Sequence, residues 1–389
     1  MVGLMETALP FVRHVGAPLR ALWGDDAIDR LPAELDRLRA QRVVIVCGRT
    51  LAGSAELNDL VRPVLGARCA GIFAEVAPHS PVPSVMKAAD LLREVEADAV
   101  LAIGGGSAVV TARAASILAA ESADVGALAT QRDANGRMVS PRLSAPKIPN
   151  LVLATTPTTA YAKAGAAVRD PATGERLALF DPKARATAVI FDPRLAATAP
   201  SGLVRGSALN AFAMAVDGLQ AAGADPLAEA MLAQGLRDAI RFLPDVDDAA
   251  ARVRLMLAAL MTGIGSDAAG TGLAQALSHA LGPISTAANG VIEALLLPHT
   301  AAYNLGTTDA GLTRVGELLP EGGGDVAEVP AALREYLRTL GSPMRLRDVG
   351  VERSQLADVV AHAGDDWAIT RVPRPAGPAE LTEILAAAW

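Results

Sequence analysis

The chain has 389 residues and a formal net charge of −7, and it is 51% hydrophobic and 20% charged. These values are ordinary for a globular protein with two sizeable cores, and they exclude a disordered or fibrous chain. The negative charge, without any cluster of Lys and Arg, argues against nucleic acid or an anionic membrane as the main partner.

Cysteine content and the start of the chain bear on the compartment. Cys47 and Cys69 are too few for a disulfide framework or a Cys-rich metal site. Residues 1–16 lack the order of basic, apolar and small residues that marks a signal peptide. No uninterrupted apolar run reaches about 18 residues, the length that a membrane span needs. We therefore predict a cytoplasmic protein with no membrane partner.

Short apolar runs alternate with helical stretches through the first half of the chain. The pattern predicts in turn a helix, a strand, a helix, a strand and a helix at residues 31–41, 43–47, 54–62, 71–76 and 85–97. Further strand-like runs cover residues 151–154, 166–169 and 188–191, and a turn at 170–174 separates the last two. This alternation predicts βαβ units and a parallel sheet.

A glycine-rich segment, Gly104-Gly105-Gly106-Ser107, lies between a predicted strand and a predicted helix. The apolar run before it is typical of a strand that is buried on both faces. Glycine lets the backbone approach a ligand, and the following helix directs unpaired N–H groups and its positive dipole end at the same place. The segment therefore predicts a cofactor phosphate loop; the alternative is a plain tight turn.

The end of the second strand, Gly48-Arg49, bears on the choice of cofactor. An acid at this place binds the ribose hydroxyls of NAD, whereas a small residue followed by Arg accommodates the 2′-phosphate of NADP. No acid is present, so we predict NADP rather than NAD. The alternative is that Arg49 is only solvated.

The character of the sequence changes after residue 199. Residues 201–338 predict long Ala- and Leu-rich helices, and the β-branched runs disappear. We predict an α/β dinucleotide-binding domain at residues 1–199 and a helical domain at residues 200–389. Residues 131–147 and 320–325 are predicted to be surface loops.

Several motifs follow one another in a characteristic order. They are the glycine loop, Pro157-Thr158-Thr159, Asn210 to Met214, His279 to Gly282, Leu296 to His299 and the closing residues 373–385. Together they resemble the iron-containing alcohol dehydrogenase superfamily, and within it most closely the maleylacetate reductase branch. The resemblance implies an N-terminal Rossmann-like domain and a C-terminal all-helical domain, the dehydroquinate synthase-like α/β fold. It also implies hydride transfer in the cleft between the two domains.

The metal-ligand positions of that superfamily are replaced in this chain. Metal-dependent members use an Asp and a His four residues apart, followed by two more His. The corresponding positions here hold Asn210, Met214, Gln275 and Asn289. Amides are weak neutral donors and a thioether is soft, so none of the four suits iron or zinc. We expect no metal, and we expect these residues and Glu293 to form a polar substrate lining.

Ten residues are predicted to contact the cofactor. They are Gly48, Arg49, Gly104, Gly105, Gly106, Ser107, Arg113, Thr156, Thr158 and Thr159. Relatives carry an acid and a Lys where this chain has Val110 and Arg113. Arg113 is expected to keep a positive charge near the phosphates.

Three residues are candidate proton donors: His279, Lys163 and Tyr161. The resemblance places His279 on a helix at the cleft, one turn after Gln275, and the alternative is a buried core histidine. An ammonium two residues away would lower the pKa of the Tyr161 phenol and favour proton donation. The alternative for this pair is that Tyr161 packs while Lys163 is solvated or touches a phosphate.

The predicted function is a metal-independent, NAD(P)H-dependent reductase of a small polar carbonyl or enone compound. One alternative is a non-redox enzyme, such as a lyase, dehydratase or cyclase, on the same fold; another is a binding protein without activity. The intact glycine loop favours the reductase over the binding protein, although fold alone does not fix function. We also expect a homodimer.

Overall fold

The computed structural model describes residues 13–121, 123–135, 137–320 and 324–389. Its strands are β1 (Arg20–Trp23), β2 (Val43–Val46), β3 (Cys69–Phe73), β4 (Ala99–Gly104), β5 (Gln131–Arg132), β6 (Met138–Val139), β7 (Asn150–Ala154), β8 (Gly165–Arg169), β9 (Arg176–Phe180) and β10 (Ala186–Phe191). Its α-helices are α1 (Leu31–Leu38), α2 (Arg49–Ala52), α3 (Arg62–Leu65), α4 (Val82–Glu94), α5 (Gly106–Glu121), α6 (Val125–Leu128), α7 (Pro193–Ala196), α8 (Ser201–Gln220), α9 (Pro226–Phe242), α10 (Ala249–Ala269), α11 (Leu273–Leu281), α12 (Asn289–Asn304), α13 (Asp309–Leu318), α14 (Val329–Thr339), α15 (Leu356–Asp365) and α16 (Pro378–Ala388).

The main sheet has six parallel strands in the order β1-β10-β7-β4-β2-β3. Alternate residues of its central strands face two separate apolar cores, one containing α4 and α5 and the other containing α1, α3 and α7. Burial on both faces explains why these strands read as continuous apolar runs. Because the strands are parallel, the loops after β2, β4 and β7 open at the same edge of the sheet.

The sequence pattern misses β1 and β9. β9 follows the predicted turn directly and pairs with β8 in an antiparallel hairpin that runs from Gly165↔Phe180 to Arg169↔Arg176. The run at residues 186–191 is instead β10, which pairs with β7 in the main sheet. The turn itself is confirmed, since the Gly174 N–H donates to the Asp170 carbonyl at 2.8 Å.

The predicted loop at residues 131–147 is more ordered than expected. It contains the short β5–β6 ladder, and it ends at Lys147, whose buried ammonium lies 2.6 Å from Glu121 and 3.0 Å from Asp181. Of the second predicted loop, residues 321–323 lie outside the described residues. The same holds for residues 1–12, on which most of the signal-peptide prediction falls.

The change from strands to helices falls between the end of β10 and the start of α8. α8 packs against α9, α10 and α12 in the largest apolar core of the described residues. By length and composition α10 would be apolar enough to cross a membrane, but 72% of its apolar window is buried inside the protein. α10 is therefore a helix of the protein core.

Candidate functional site

A cleft of about 930 Å³ lies between the carboxyl edge of the main sheet and the helical half. Its sheet wall is formed by Gly48, by residues 103–108 and by residues 155–158. Its helical wall includes Asn210 of α8 and Asn289 of α12. This volume is within the range of cofactor and ligand sites.

The glycine loop packs tightly at the centre of the sheet wall. A Cβ atom on Gly105 would lie 2.2 Å from Thr156 Oγ1, and one on Gly104, at φ +145°, would lie 2.9 Å from the Cβ of Ala108. Side chains are therefore excluded from the turn that joins β4 to α5. The N-terminus of α5, at Gly106 and Ser107, opens on the cleft. This combination of close backbone and helix N-terminus suits the pyrophosphate of a dinucleotide.

Two of the three predicted threonines share this wall with the loop. Thr156 and Thr158 line the cleft, and a Cβ on Gly106 would come within 3.2 Å of Thr158 Oγ1. Thr159 does not line it; its buried hydroxyl donates to Met214 Sδ at 3.3 Å. Thr159 thus joins the sheet wall to α8 rather than contacting the cofactor.

Arg113 is not at the cleft. Its side chain is 1% exposed, and it donates to the carbonyl oxygens of Gly165 at 2.9 Å and Ala160 at 2.7 Å. Burial lowers its pKa to about 10. The predicted phosphate contact is therefore wrong, and Arg113 instead anchors the loop between Thr159 and β8.

The other predicted basic residue, Arg49, also lies off the cleft wall. It is exposed and begins the short helix α2, while its neighbours Gly48 and Thr50 line the cleft. Its position gives no support to the predicted contact with a 2′-phosphate.

Tyr161 and Lys163 both turn away from the cleft. Tyr161 is fully buried, donates its hydroxyl to the Thr156 carbonyl, and packs edge-on against Phe191 at 5.4 Å between ring centroids. Burial raises its pKa well above the ordinary tyrosine value. Lys163 Nζ donates to Ser266 Oγ of α10 at 2.7 Å. The structure therefore contradicts the prediction that Tyr161 donates a proton in the cleft, and it gives no support to that role for Lys163.

Three of the four residues at the metal-ligand positions contact other protein groups. Asn210 Nδ2 donates to Glu293 Oε2 at 2.5 Å, and Gln275 Nε2 lies 3.7 Å from Met214 Sδ. Only Asn210 and Asn289 of this set line the cleft. Met214, Gln275 and Glu293 do not line the cleft and lie behind that wall. The predicted polar lining therefore has two residues at the cleft and three in a second layer behind them.

Two buried acids support this layer. Glu293 is 2% exposed and also accepts from Ser278 Oγ at 2.9 Å. Burial, and to a lesser extent the charge of Asp217, raise its pKa to about 8. Asp217 accepts from the Gln275 N–H at 3.4 Å near the start of α11, and burial raises its pKa to about 7. In the folded protein both carboxyls therefore stay protonated up to pH values well above those at which ordinary carboxyls ionise.

These shifts make a testable prediction about stability. Folded Glu293 keeps its proton to about pH 8, whereas the unfolded side chain releases it near 4.5, so the free energy of unfolding should fall as pH rises between these values. The isosteric variant Glu293→Gln should flatten this dependence in chemical denaturation at several pH values. Glu383→Gln, at an exposed site on α16, is the control, and equal slopes in both variants would contradict the assignment.

His279 lies one turn beyond Gln275 on α11, and neither residue lines the cleft. Its Nδ1 shares a hydrogen bond with Asp366 Oδ2 at 2.9 Å, and its side chain is 9% exposed. Burial and the charge of Arg176 lower its pKa, while Asp366 opposes that shift. The Asp366 carboxylate thereby orients the ring and stabilises its protonated form.

Sequence reasoning missed Arg176 and Asp366. The charge of Arg176, on β9, also acts on Glu293 and Asp366. Arg176 is exposed at the first position of β9, and its charge reaches groups of the helical half. The sequence shows Arg176 two residues after Gly174. Because β9 was not predicted, the direction of the Arg176 side chain could not be predicted either.

Comparison with known proteins identifies the family. The family model for iron-containing alcohol dehydrogenases matches residues 18–193, and the model for the C-terminal part of that family matches residues 206–389. The chain belongs to the iron-containing alcohol dehydrogenase family. The resemblance seen in the sequence motifs is thereby confirmed.

Individual relatives show which branch of the family the chain resembles. Maleylacetate reductase 1 of Cupriavidus pinatubonensis (strain JMP 134 / LMG 1197) is 31% identical over 356 residues, which is 87% of each chain. The crystal structure of maleylacetate reductase from Agrobacterium tumefaciens has a TM-score of 0.80 at 25% identity and covers 98% of this chain and 99% of its own. A 1,3-propanediol oxidoreductase structure has a TM-score of 0.88 at 22% identity, with 98% and 100% covered. The chain is thus an oxidoreductase of the maleylacetate reductase-like branch, and the predicted fold class is confirmed.

Iron, which the family name implies, does not fit the residues present. The Met214 sulfur is a soft donor that already accepts from Thr159, and Asn210 offers only a neutral amide oxygen. Among the described residues, no group of three or more His, Cys, Asp or Glu side chains is placed to hold a metal ion. Soft or neutral donors in these contacts are poor ligands for a divalent iron or zinc ion.

Proposed function

We propose that the chain is a metal-independent, NAD(P)H-dependent reductase of a small polar carbonyl or enone compound. The observation that carries the proposal is the cleft, in which the glycine loop faces Asn210 and Asn289 from the opposite wall. The relatives named maleylacetate reductase suggest the class of substrate.

The chain's own residues would hold the cofactor from the sheet side. The N–H groups at the start of α5 bind the pyrophosphate, and the tight contact between Gly105 and Thr156 fixes the shape of the loop. When bound, NAD(P)H supplies the hydride.

The helical side would orient the substrate and supply a proton. Asn210 is held in place by Glu293, so its amide is positioned before the substrate arrives. Negative charge that develops on the substrate oxygen is met by the amides of Asn210 and Asn289. The proposed source of the proton is His279, which lies behind this wall and is oriented by Asp366. Arg176, on β9, adds a positive charge that acts on Glu293 and Asp366.

Metal independence makes a separate prediction. Elemental analysis of the purified protein should find well under one iron or zinc per chain, because Asn210, Met214, Gln275 and Asn289 offer no suitable ligand set. Added iron or zinc salt should leave the melting temperature unchanged, since an ion that does not bind the folded state cannot stabilise it. A stoichiometric metal ion bound in the cleft would refute this prediction.

The reductase proposal is tested by nucleotide consumption. Purified protein is mixed with NADH or NADPH and a panel of keto acids, enones and aldehydes that includes maleylacetate, and the loss of nucleotide absorbance is followed. Oxidation that depends on both protein and substrate supports the proposal. A protein that binds the nucleotide but oxidises it with no member of the panel would favour a non-redox enzyme on the same fold.

A further inference from the structure

We infer that Glu56 makes the cleft selective for NAD(H) over NADP(H). This inference rests on the proposed function and names its cofactor. It also reverses the preference for NADP that was drawn from Gly48-Arg49. The strand end has no acid, but the structure brings Glu56 into the same part of the cleft wall as Gly48.

Glu56 lines the part of the cleft that adjoins β2. Thr50, Ser54 and Glu56 share this part of the wall with Gly48. β2 lies beside β4, the strand that leads into the glycine loop. In doubly wound sheets, the loop after the strand next to the phosphate loop meets the adenosine ribose. Glu56 is therefore placed to face the ribose 2′ position.

The backbone holds Glu56 at this position. It begins the wide helical turn Glu56–Val61, which leads into α3. Ser54 Oγ accepts from the Leu57 N–H at 3.2 Å, which fastens the start of that turn, and Leu57 is buried in the core beneath the sheet. The acid is thus presented by an anchored turn rather than by a free loop.

The charges around this part of the cleft favour a ribose without a phosphate. Neither Lys nor Arg lines the cleft within the described residues, and Arg49 is exposed, with its charge acting on Glu75. The half-buried Glu56 carboxylate accepts no hydrogen bond from any described residue. A carboxylate with open acceptor sites suits two ribose hydroxyls, which donate, and repels a 2′-phosphate, which brings further negative charge.

The test is a fluorescence titration of the full chain with NADH and with NADPH at low salt. The parent protein should bind NADH about tenfold more tightly or better. Glu56→Gln keeps the size and removes the charge, so it should tighten NADPH about tenfold and weaken NADH only a few-fold. Asp59→Asn is the matched control: Asp59 is exposed on the same turn and does not line the cleft, and its variant should bind both nucleotides as the parent does.

The outcomes separate this inference from the proposed function. If NADPH binds the parent as tightly as NADH, or if Glu56→Gln leaves the ratio of the two affinities unchanged, the role of Glu56 is overturned while the reductase proposal stands. If neither nucleotide binds at millimolar concentration, both fall.

Discussion

His279→Ala should lower turnover on the true substrate about 10²- to 10⁴-fold, the usual contribution of a positioned proton donor. The affinity for the nucleotide should stay nearly unchanged, because the glycine loop forms the sheet wall of the cleft after β4, whereas His279 lies on α11 of the helical half. The Asp366 contact at 2.9 Å keeps the ring in one orientation, so loss of the ring removes a group that is already in place. Steady-state rates and nucleotide titrations on the same preparation make the comparison.

Three further variants sharpen this prediction. His362→Ala is the control, because His362 is exposed on α15 and its Nδ1 shares a hydrogen bond with the Asp358 carbonyl of its own helix. Asp366→Asn should lower turnover less than His279→Ala and shift the pH profile, since Asp366 acts through His279. Lys163→Ala discriminates between donors, and a large loss there with a mild one at His279 would move the proton donor to the loop before β8.

The lowered pKa of His279 predicts how turnover depends on pH. Burial and Arg176 hold the pKa of His279 below its ordinary value of 6.5. If the protonated ring donates, turnover should fall as pH rises through that lowered pKa, and Asp366→Asn should move the fall to still lower pH. An unchanged profile in His279→Ala would contradict the assignment.

Gly290→Ala should lower the free energy of unfolding by about 3 kcal/mol, at the upper end of the cost of overpacking. A Cβ atom on Gly290 would lie 2.1 Å from the Gly206 carbonyl oxygen and 2.5 Å from the Asn210 N. Both are backbone atoms of α8, which cannot turn aside as a flexible side chain can. The substitution therefore has to push α12 away from α8, which also displaces Asn210 and Asn289 in the cleft.

The control for this variant is Gly202→Ala at the exposed start of α8. A Cβ there meets nothing within 4 Å, so stability should stay the same or rise slightly. Chemical denaturation of the two variants beside the parent gives the comparison. Equal stability of Gly290→Ala and the parent would mean that α8 and α12 are not in close contact.

The sequence predicts the sheet well where burial is complete. β2, β4 and β7 are buried along most of their length, and their continuous apolar runs appear in the sequence as strands. β1 and β9 are partly exposed and carry Arg at their first positions, so neither gives a run of buried residues. The turn at residues 170–174 was found, but the strand that follows it directly, β9, was missed.

The site was predicted less completely, because its chemistry depends on the direction in which each side chain points. The glycine loop and Asn210 stand where expected, since a strand end and a helix face fix them. Arg113 has the charge that a phosphate needs, but its position on α5 turns it towards Ala160 and Gly165. Glu56 was missed because its turn follows α2, eight residues after Gly48 rather than at the strand end.

The central claim is carbonyl reduction without a metal ion. The most direct measurement is the rate of NADH or NADPH oxidation with maleylacetate by protein treated with chelator, with the metal content of the same sample determined. The account predicts an undiminished rate, one nucleotide oxidised per substrate reduced, and far less than one metal ion per chain. Activity that disappears with the chelator and returns with iron or zinc would contradict it.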